Sequence, residues 1–123
     1  MQLTLQPLDS KIHVKHYKPG TISFSDKAFS HSVIFTPDKI LVEYWPVRRI
    51  DELSIESLTP IFSRSFDIIL LGTGNEFRPL IAEITRAYAR IGRAIDAMSS
   101  NFACSTFNLL AQEKRNVVAA VIV

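Results

Sequence analysis

Short runs rich in β-branched and aromatic residues fill the first half of the chain: TISFS at 21–25, HSVIFT at 31–36 and KILVEYW at 39–45. Pro19-Gly20 and Pro37-Asp38 punctuate them as turns do, so residues 12–50 read as β-hairpins. In KILVEYW, strict alternation puts Ile40, Val42 and Tyr44 on one face and Leu41, Glu43 and Trp45 on the other, until Pro46 withdraws its amide from the ladder. Next, DELSIESLTPIFSRS (51–65) predicts one or two short helical turns, with Ser54 capping the first and Thr59-Pro60 serving as N-cap and first helical residue of the second.

From residue 67 the pattern alternates between two periods. DIILL (67–71) and NVVAAVIV (116–123) are apolar on both faces, as buried parallel strands are. Between them Leu80, Ile81, Ile84, Tyr88 and Ile91 share a helical face, with Glu83, Arg86 and Arg90 outward, and RAIDAM (93–98) supplies a weaker strand. In SSNFACSTFNLLAQEK (99–114), Ser99 or Ser100 can cap a helix that turns Phe102, Ala103, Phe107 and Leu110 to the sheet. The order strand, helix, strand, helix, strand over 51–123 predicts right-handed crossovers and a parallel sheet.

At 123 residues, 47% of them hydrophobic, the chain has enough apolar surface for one core, so 1–123 is expected to be one domain without a linker or repeat. Fourteen basic and twelve acidic residues are dispersed along it, which disfavours a nucleic-acid footprint. The single cysteine, Cys104, excludes a disulfide scaffold and fits a reducing compartment. The first twenty residues lack the apolar stretch of a signal peptide, and no run is long enough for an integral membrane span. The expected location is the cytoplasm.

Gly72-Thr73-Gly74-Asn75 follows a buried strand, and Met98-Ser99-Ser100-Asn101 follows the next, so both fall at the carboxyl edge where parallel sheets place ligands. The dinucleotide fingerprint nevertheless fails, because Phe77 stands where its third glycine belongs, and Asp96 about twenty residues on carries little weight without it. No Gly-Lys-Ser/Thr follows, which excludes a phosphate-binding loop of the Walker type. Glu76 would repel an anion, and Arg78 is the only nearby cation in sequence. The expectation is a structural turn that needs glycine's backbone freedom.

Other chemistry has weaker footing. Cys104 near a helix start could be a nucleophile, but no histidine is near it in sequence, and a free cysteine is more often a small buried hydrophobe. His13 and His16 should point to opposite faces of a strand and so cannot share a metal. Glu52 and Glu56 read as solvated charge, and Asp67 begins its strand at the end away from the crevice. Asn101, Cys104, Asn108 and Gln112 form a polar stripe in which Asn108, costly inside a helix, invites a specific hydrogen-bonding role.

DIILLGTGNEFRPL (67–80), NFACSTFNLLAQEKR (101–115) and the closing VVAAVIV, with KILVEYWPV and IESLTPIF before them, resemble the MTH-domain family across residues 12–123. The most specific matches are Gly72-Thr73-Gly74 and the segment from Ala103-Cys104 to Thr106-Phe107-Asn108, closer to the branch of mitochondrial complex I assembly factor 3 than to the adipogenesis-associated branch. The resemblance implies a three-layer α/β fold, with a mixed central sheet and an N-terminal β-hairpin extension, and no established catalytic residues. It also implies a protein partner of the kind found in respiratory-complex assembly at an inner membrane, where the location would be peripheral. Ser99-Ser100 stands where members often have Asp-Thr. Lys114 replaces a glycine usual before the last strand, leaving Asn116 as the candidate for a left-handed turn.

Together these point to a non-enzymatic protein-interaction domain without metal or cofactor, with Phe24, Phe29 and Trp45 as the candidate partner surface. The alternative is a small-molecule or anion-binding protein, such as a degenerate enzyme, whose cleft would draw on Gly72, Thr73, Gly74, Asn75, Ser100, Cys104, Thr106 and Asn108.

Overall fold

The computed structural model describes residues 11–123; the first ten residues of the expected domain, and half of the N-terminal stretch read for a signal peptide, lie outside them. The strands are β1 (His16–Lys18), β2 (Thr21–Ser23), β3 (Ala28–Phe29), β4 (Val33–Phe35), β5 (Ile40–Val42), β6 (Ile68–Gly72), β7 (Ile95–Met98) and β8 (Val117–Val121); the helices are α1 (Thr59–Phe62), α2 (Ala82–Ala89) and α3 (Ser100–Gln112). Two 3-10 turns, Ile50–Glu52 and Glu56–Leu58, precede α1.

The central sheet runs β5-β4-β8-β6-β7, with β6 parallel to both β7 and β8 and β4 antiparallel to β8 and β5. It is mixed, as the family resemblance implies, and its C-terminal half is the predicted β-α-β-α-β unit. Side chains of β6 and β8 alternate between two buried clusters, which is why both strands are apolar at every position. Leu70, Val117, Ala119 and Val121 meet Ala103, Phe107 and Ala111 of α3 on one face. Ile69, Leu71, Val118 and Ala120 meet Ile84 and Tyr88 of α2, Leu58 and Ile61 on the other. A second sheet, β1-β2-β3, lies in the α3 layer and contributes Ile22 and Phe24 to that cluster, so the molecule has three layers.

Several local expectations shift. Register pairs Ile34 with Val42 but Phe35 with Ile40, so Leu41 is an extra residue that breaks the alternation of KILVEYW. Leu41 and Val42 therefore pack against the same cluster; beyond the strand, Tyr44 emerges 62% exposed and Trp45 lies inward at 2%, on Leu41's side as the alternation had it. Thr59 does not cap α1; its hydroxyl donates to Glu56 O while Leu58 holds the cap position. Ser54 and Ser57 do cap each other's amides, at 3.0 and 3.1 Å. Helix α2 starts two residues later than its apolar face suggests, leaving Ile81 extended and exposed, and Ile91 is also exposed beyond its end. Phe102, expected against the sheet, points to solvent.

The left-handed residue after α3 is Lys114, at φ 61°, not Asn116. Arg115 N donates to Leu110 O and Lys114 N to Ala111 O, the pairing that ends a helix with its C′ residue left-handed. Asn116 instead ties the strand to its neighbour: its side chain donates to Ser65 O at 2.8 Å, and its carbonyl accepts from Asp67 and Ile68.

Candidate functional site

At the carboxyl edge of the parallel strands the chain closes on itself. Ser100, fully buried in the first turn of α3, donates its hydroxyl proton to Ile122 O at 2.6 Å, and Ser100 Oγ accepts from Gly74 N at 2.9 Å. Ser100 N in turn donates to Gly74 O. Thr73, also buried, donates from its amide to Met98 O, and its hydroxyl lies within hydrogen-bond distance of Glu76 O and Met98 O while accepting from Arg78 N. Ser99 caps α3 by accepting from Phe102 N, and its carbonyl takes Ala103 N. The amides that would greet an anion at the strand end and helix start are thus largely committed to protein oxygens.

The two glycines answer different needs. Gly74 sits at φ 109°, where an L-residue is strained. Gly72 has ordinary strand geometry, but a Cβ there would lie 2.7 Å from Ser100 Oγ and 2.9 Å from Ser100 Cα. Its role is to let the start of α3 press against β6, in place of the turn-making expected of it.

Of the eight residues nominated for a cleft, Gly72, Thr73, Gly74, Asn75 and Ser100 do converge, and the others do not. Cys104 lies one turn deeper, 3% exposed, and burial pushes its thiol up to about 12, where the thiolate is not populated near neutrality. Thr106 is half-buried on another face of α3. Asn108 has the specific role its cost in a helix suggests: Nδ2 donates to Val14 O and Oδ1 accepts from Val14 N, so the side chain acts as a strand partner for the N-terminal sheet. The polar stripe is therefore divided, with Cys104 in the core and Asn101 and Gln112 in solvent.

Two phenols are buried without a hydrogen bond, Tyr17 and Tyr88. Burial raises the Tyr17 phenol above its ordinary value while the neighbouring Ser100 hydroxyl pulls it down, a proximity that falls short of hydrogen-bond geometry. Burial raises Tyr88 to about 12 against the opposing pull of Arg93.

Beside the closed loop is a cleft of about 510 Å³ whose walls include Thr73, Gly74 and Asn75 on one side and Arg48, Arg49 and Asp51 on the other. Arg78 and Glu76 border it too, so the cations near the loop exceed the single one visible in the local sequence. Two of the three are compensated: Arg49 pairs with Asp51 at 3.2 Å and Glu52 at 3.9 Å, and Arg78 approaches Glu76 at 4.0 Å, while Arg48 takes part in no salt bridge among the described residues. Arg48 and Arg49 could not be placed here from sequence, because the strap after β5 crosses the sheet before reaching the strand ends.

The proposed partner surface is not where the aromatic pattern put it. Phe24 and Trp45 are 5% and 2% exposed and Phe29 is half-buried. Phe24 makes edge contacts with Phe35 and Phe29, and Trp45 Nε1 donates to Ser57 O at 2.8 Å, so these rings serve the core. The large apolar groups in solvent include Phe77, Ile81 and Phe102, all on segments leaving the carboxyl edge. His13 and His16 form no metal site, and among the described residues no group of three or more His, Cys, Asp or Glu could hold a metal ion.

Residues 14–122 match the model of a family described as protein of unknown function (DUF498/DUF598). The chain is 31% identical over 117 residues to the NADH dehydrogenase (ubiquinone) 1 alpha subcomplex assembly factor 3 of Danio rerio, covering 88% of this chain and 67% of that protein. Across the assembly factors matched, it spans between 51% and 67% of their length. It is 29% identical to a 13 kDa major membrane protein of Francisella tularensis subsp. holarctica (strain LVS), over 99% of each chain. A Bordetella pertussis protein solved by NMR in solution, described as a Mth938-like domain, superposes with a TM-score of 0.79 at 25% identity, covering 98% of this chain and 91% of that one.

Proposed function

This chain belongs to the MTH-domain family, whose common model is DUF498/DUF598, and we propose that it works by contact with another protein and not by catalysis. The observation that carries this reading is the pairing of a hydrogen-bonded strand-end loop with exposed apolar side chains around it. Phe77 is 57%, Ile81 50% and Phe102 62% exposed, on two segments that the Ser100–Gly74 bonds tie together. A large apolar group held in water on a rigid support is favourable for partner recognition.

Likeness to the assembly factors suggests a respiratory-complex assembly intermediate as the partner, and likeness to the major membrane protein suggests a site of action at a membrane surface. No helix among the described residues is long and apolar enough to cross a membrane, so on this reading the association is peripheral or through the partner.

The test is capture from the native host with the wild-type chain and with Phe77→Glu and Phe102→Glu variants. Both side chains are exposed, so each change should leave stability within about 0.5 kcal/mol. Loss of the same co-purifying respiratory proteins from both variants supports the reading; their undiminished recovery contradicts it.

A second reading has one specific observation in its favour, the Arg48, Arg49 and Arg78 cleft beside the loop. It would suit a small carboxylate or phosphate ligand, though Arg49 and Arg78 already have acidic partners. A thermal-shift screen with nucleotides and organic acids separates the two: a saturable rise in Tm abolished by Arg49→Gln favours the cleft.

A further inference from the structure

The opposite edge of the sheet, where the parallel strands begin, carries a second and larger cleft of about 790 Å³. Three turns form it: Thr36–Lys39 between β4 and β5, Arg64–Phe66 after α1, and Lys114–Asn116 between α3 and β8. Among the described residues, Lys39, Arg64, Lys114 and Arg115 line it against a single carboxylate, Asp38. The side chains of Lys39, Arg64 and Arg115 take part in none of the salt bridges among the described residues. The cleft lining therefore holds an excess of positive charge, whereas at the other edge Arg49 and Arg78 are paired.

The backbone beneath these cations is fixed. Thr36 Oγ1 accepts from Asp38 N and Lys39 N, and Asn116 bridges to Ser65 O while its carbonyl takes Asp67 N and Ile68 N. Cations after a helix end can be explained by the helix dipole, and Arg64, Lys114 and Arg115 do follow helices. Lys39 follows none, so the helix dipole does not account for its place in the cleft.

The geometry points to a binding site for a small phosphate-bearing anion in this cleft, its charge met by Lys39, Arg64, Lys114 and Arg115. A soluble phosphate ester and a phospholipid headgroup share this chemistry. The site is distinct from the protein-contact edge, so it stands whether or not the partner reading does.

The experiment titrates the wild-type protein at low ionic strength with inorganic pyrophosphate, following backbone amide NMR shifts. In parallel it measures co-sedimentation with phosphatidylglycerol–phosphatidylcholine vesicles and with vesicles of phosphatidylcholine alone. The site predicts saturable shifts centred on residues 38–39, 64–66 and 114–116, weakened by added salt. Vesicle binding that needs phosphatidylglycerol identifies a headgroup, whereas pyrophosphate binding alone identifies a soluble ligand. Arg115→Gln should weaken pyrophosphate by about five- to tenfold, and an exposed control on α2, Arg86→Gln, should not. Lys39→Gln should weaken pyrophosphate by a similar factor with Tm unchanged, whereas a merely structural residue would move Tm alone. Absence of saturation by either probe, shifts centred on Arg48 and Arg78, or an affinity unchanged in both Arg115→Gln and Lys39→Gln overturns the proposal.

Discussion

The two edges of the central sheet have opposite designs. At the carboxyl edge, where topology favours ligands, the loop amides are spent on Ser100, Thr73 and Met98, and two of the three nearby arginines, Arg49 and Arg78, are paired with acids. At the amino edge, the less expected place, cations gather on three hydrogen-bonded turns around one carboxylate among the described residues. A glycine-rich strand-end loop is thus not by itself evidence of a phosphate cradle: the question is where its amides point. In this chain they point to a serine hydroxyl and to carbonyls.

The contrast can be broken most sharply at Gly72. A Cβ there meets the Ser100 backbone as well as its side chain, so no rotamer change relieves it. Gly72→Ala should cost about 2–3 kcal/mol in urea unfolding, as overpacking does; a near-neutral result would mean that α3 does not press against β6 as described. Ser100→Ala comes next, at about 2 kcal/mol, because it orphans Gly74 N and Ile122 O together.

The buried acids predict a pH response. Cys104 and Tyr88 have native values near 12, above their unfolded values, so the native state holds protons that the unfolded chain releases in alkali. Stability from these groups is full below about pH 9 and declines as pH rises toward 12. Cys104→Ala should flatten the first part of that decline, and native Cys104 should alkylate only on opening. The smallest change is Tyr88→Phe, which removes a buried hydroxyl without a partner and should be neutral or slightly stabilising in thermal unfolding.

Much of this architecture is visible in one dimension. Ile68–Leu71 and Val117–Val121 announce buried parallel strands because both faces pack, and Asn108 announces a bonding role because nothing else repays its place in a helix. What is missed is set by partners distant in sequence. Asn108 meets Val14 ninety-four residues away, and Ser100 meets Ile122 across the sheet, so neither partner leaves a local trace. Helical periodicity misplaced Ile81 and Phe102 because it takes no account of where a helix begins or how far the sheet extends beside it. Aromatic content misplaced Phe24 and Trp45, since an apolar ring reads the same whether it seeks a partner or a core. The Leu41 bulge moved Val42 to the face of Leu41, and strict alternation has no means of signalling an inserted residue.

Amide hydrogen exchange at Gly74 is the most direct test of the closed loop. If its N–H is held by buried Ser100, it should exchange as slowly as the amides of β8, at a rate that phosphate, pyrophosphate and nucleotides leave unchanged. Fast exchange in the protein alone that slows when one of these anions is added would contradict the account.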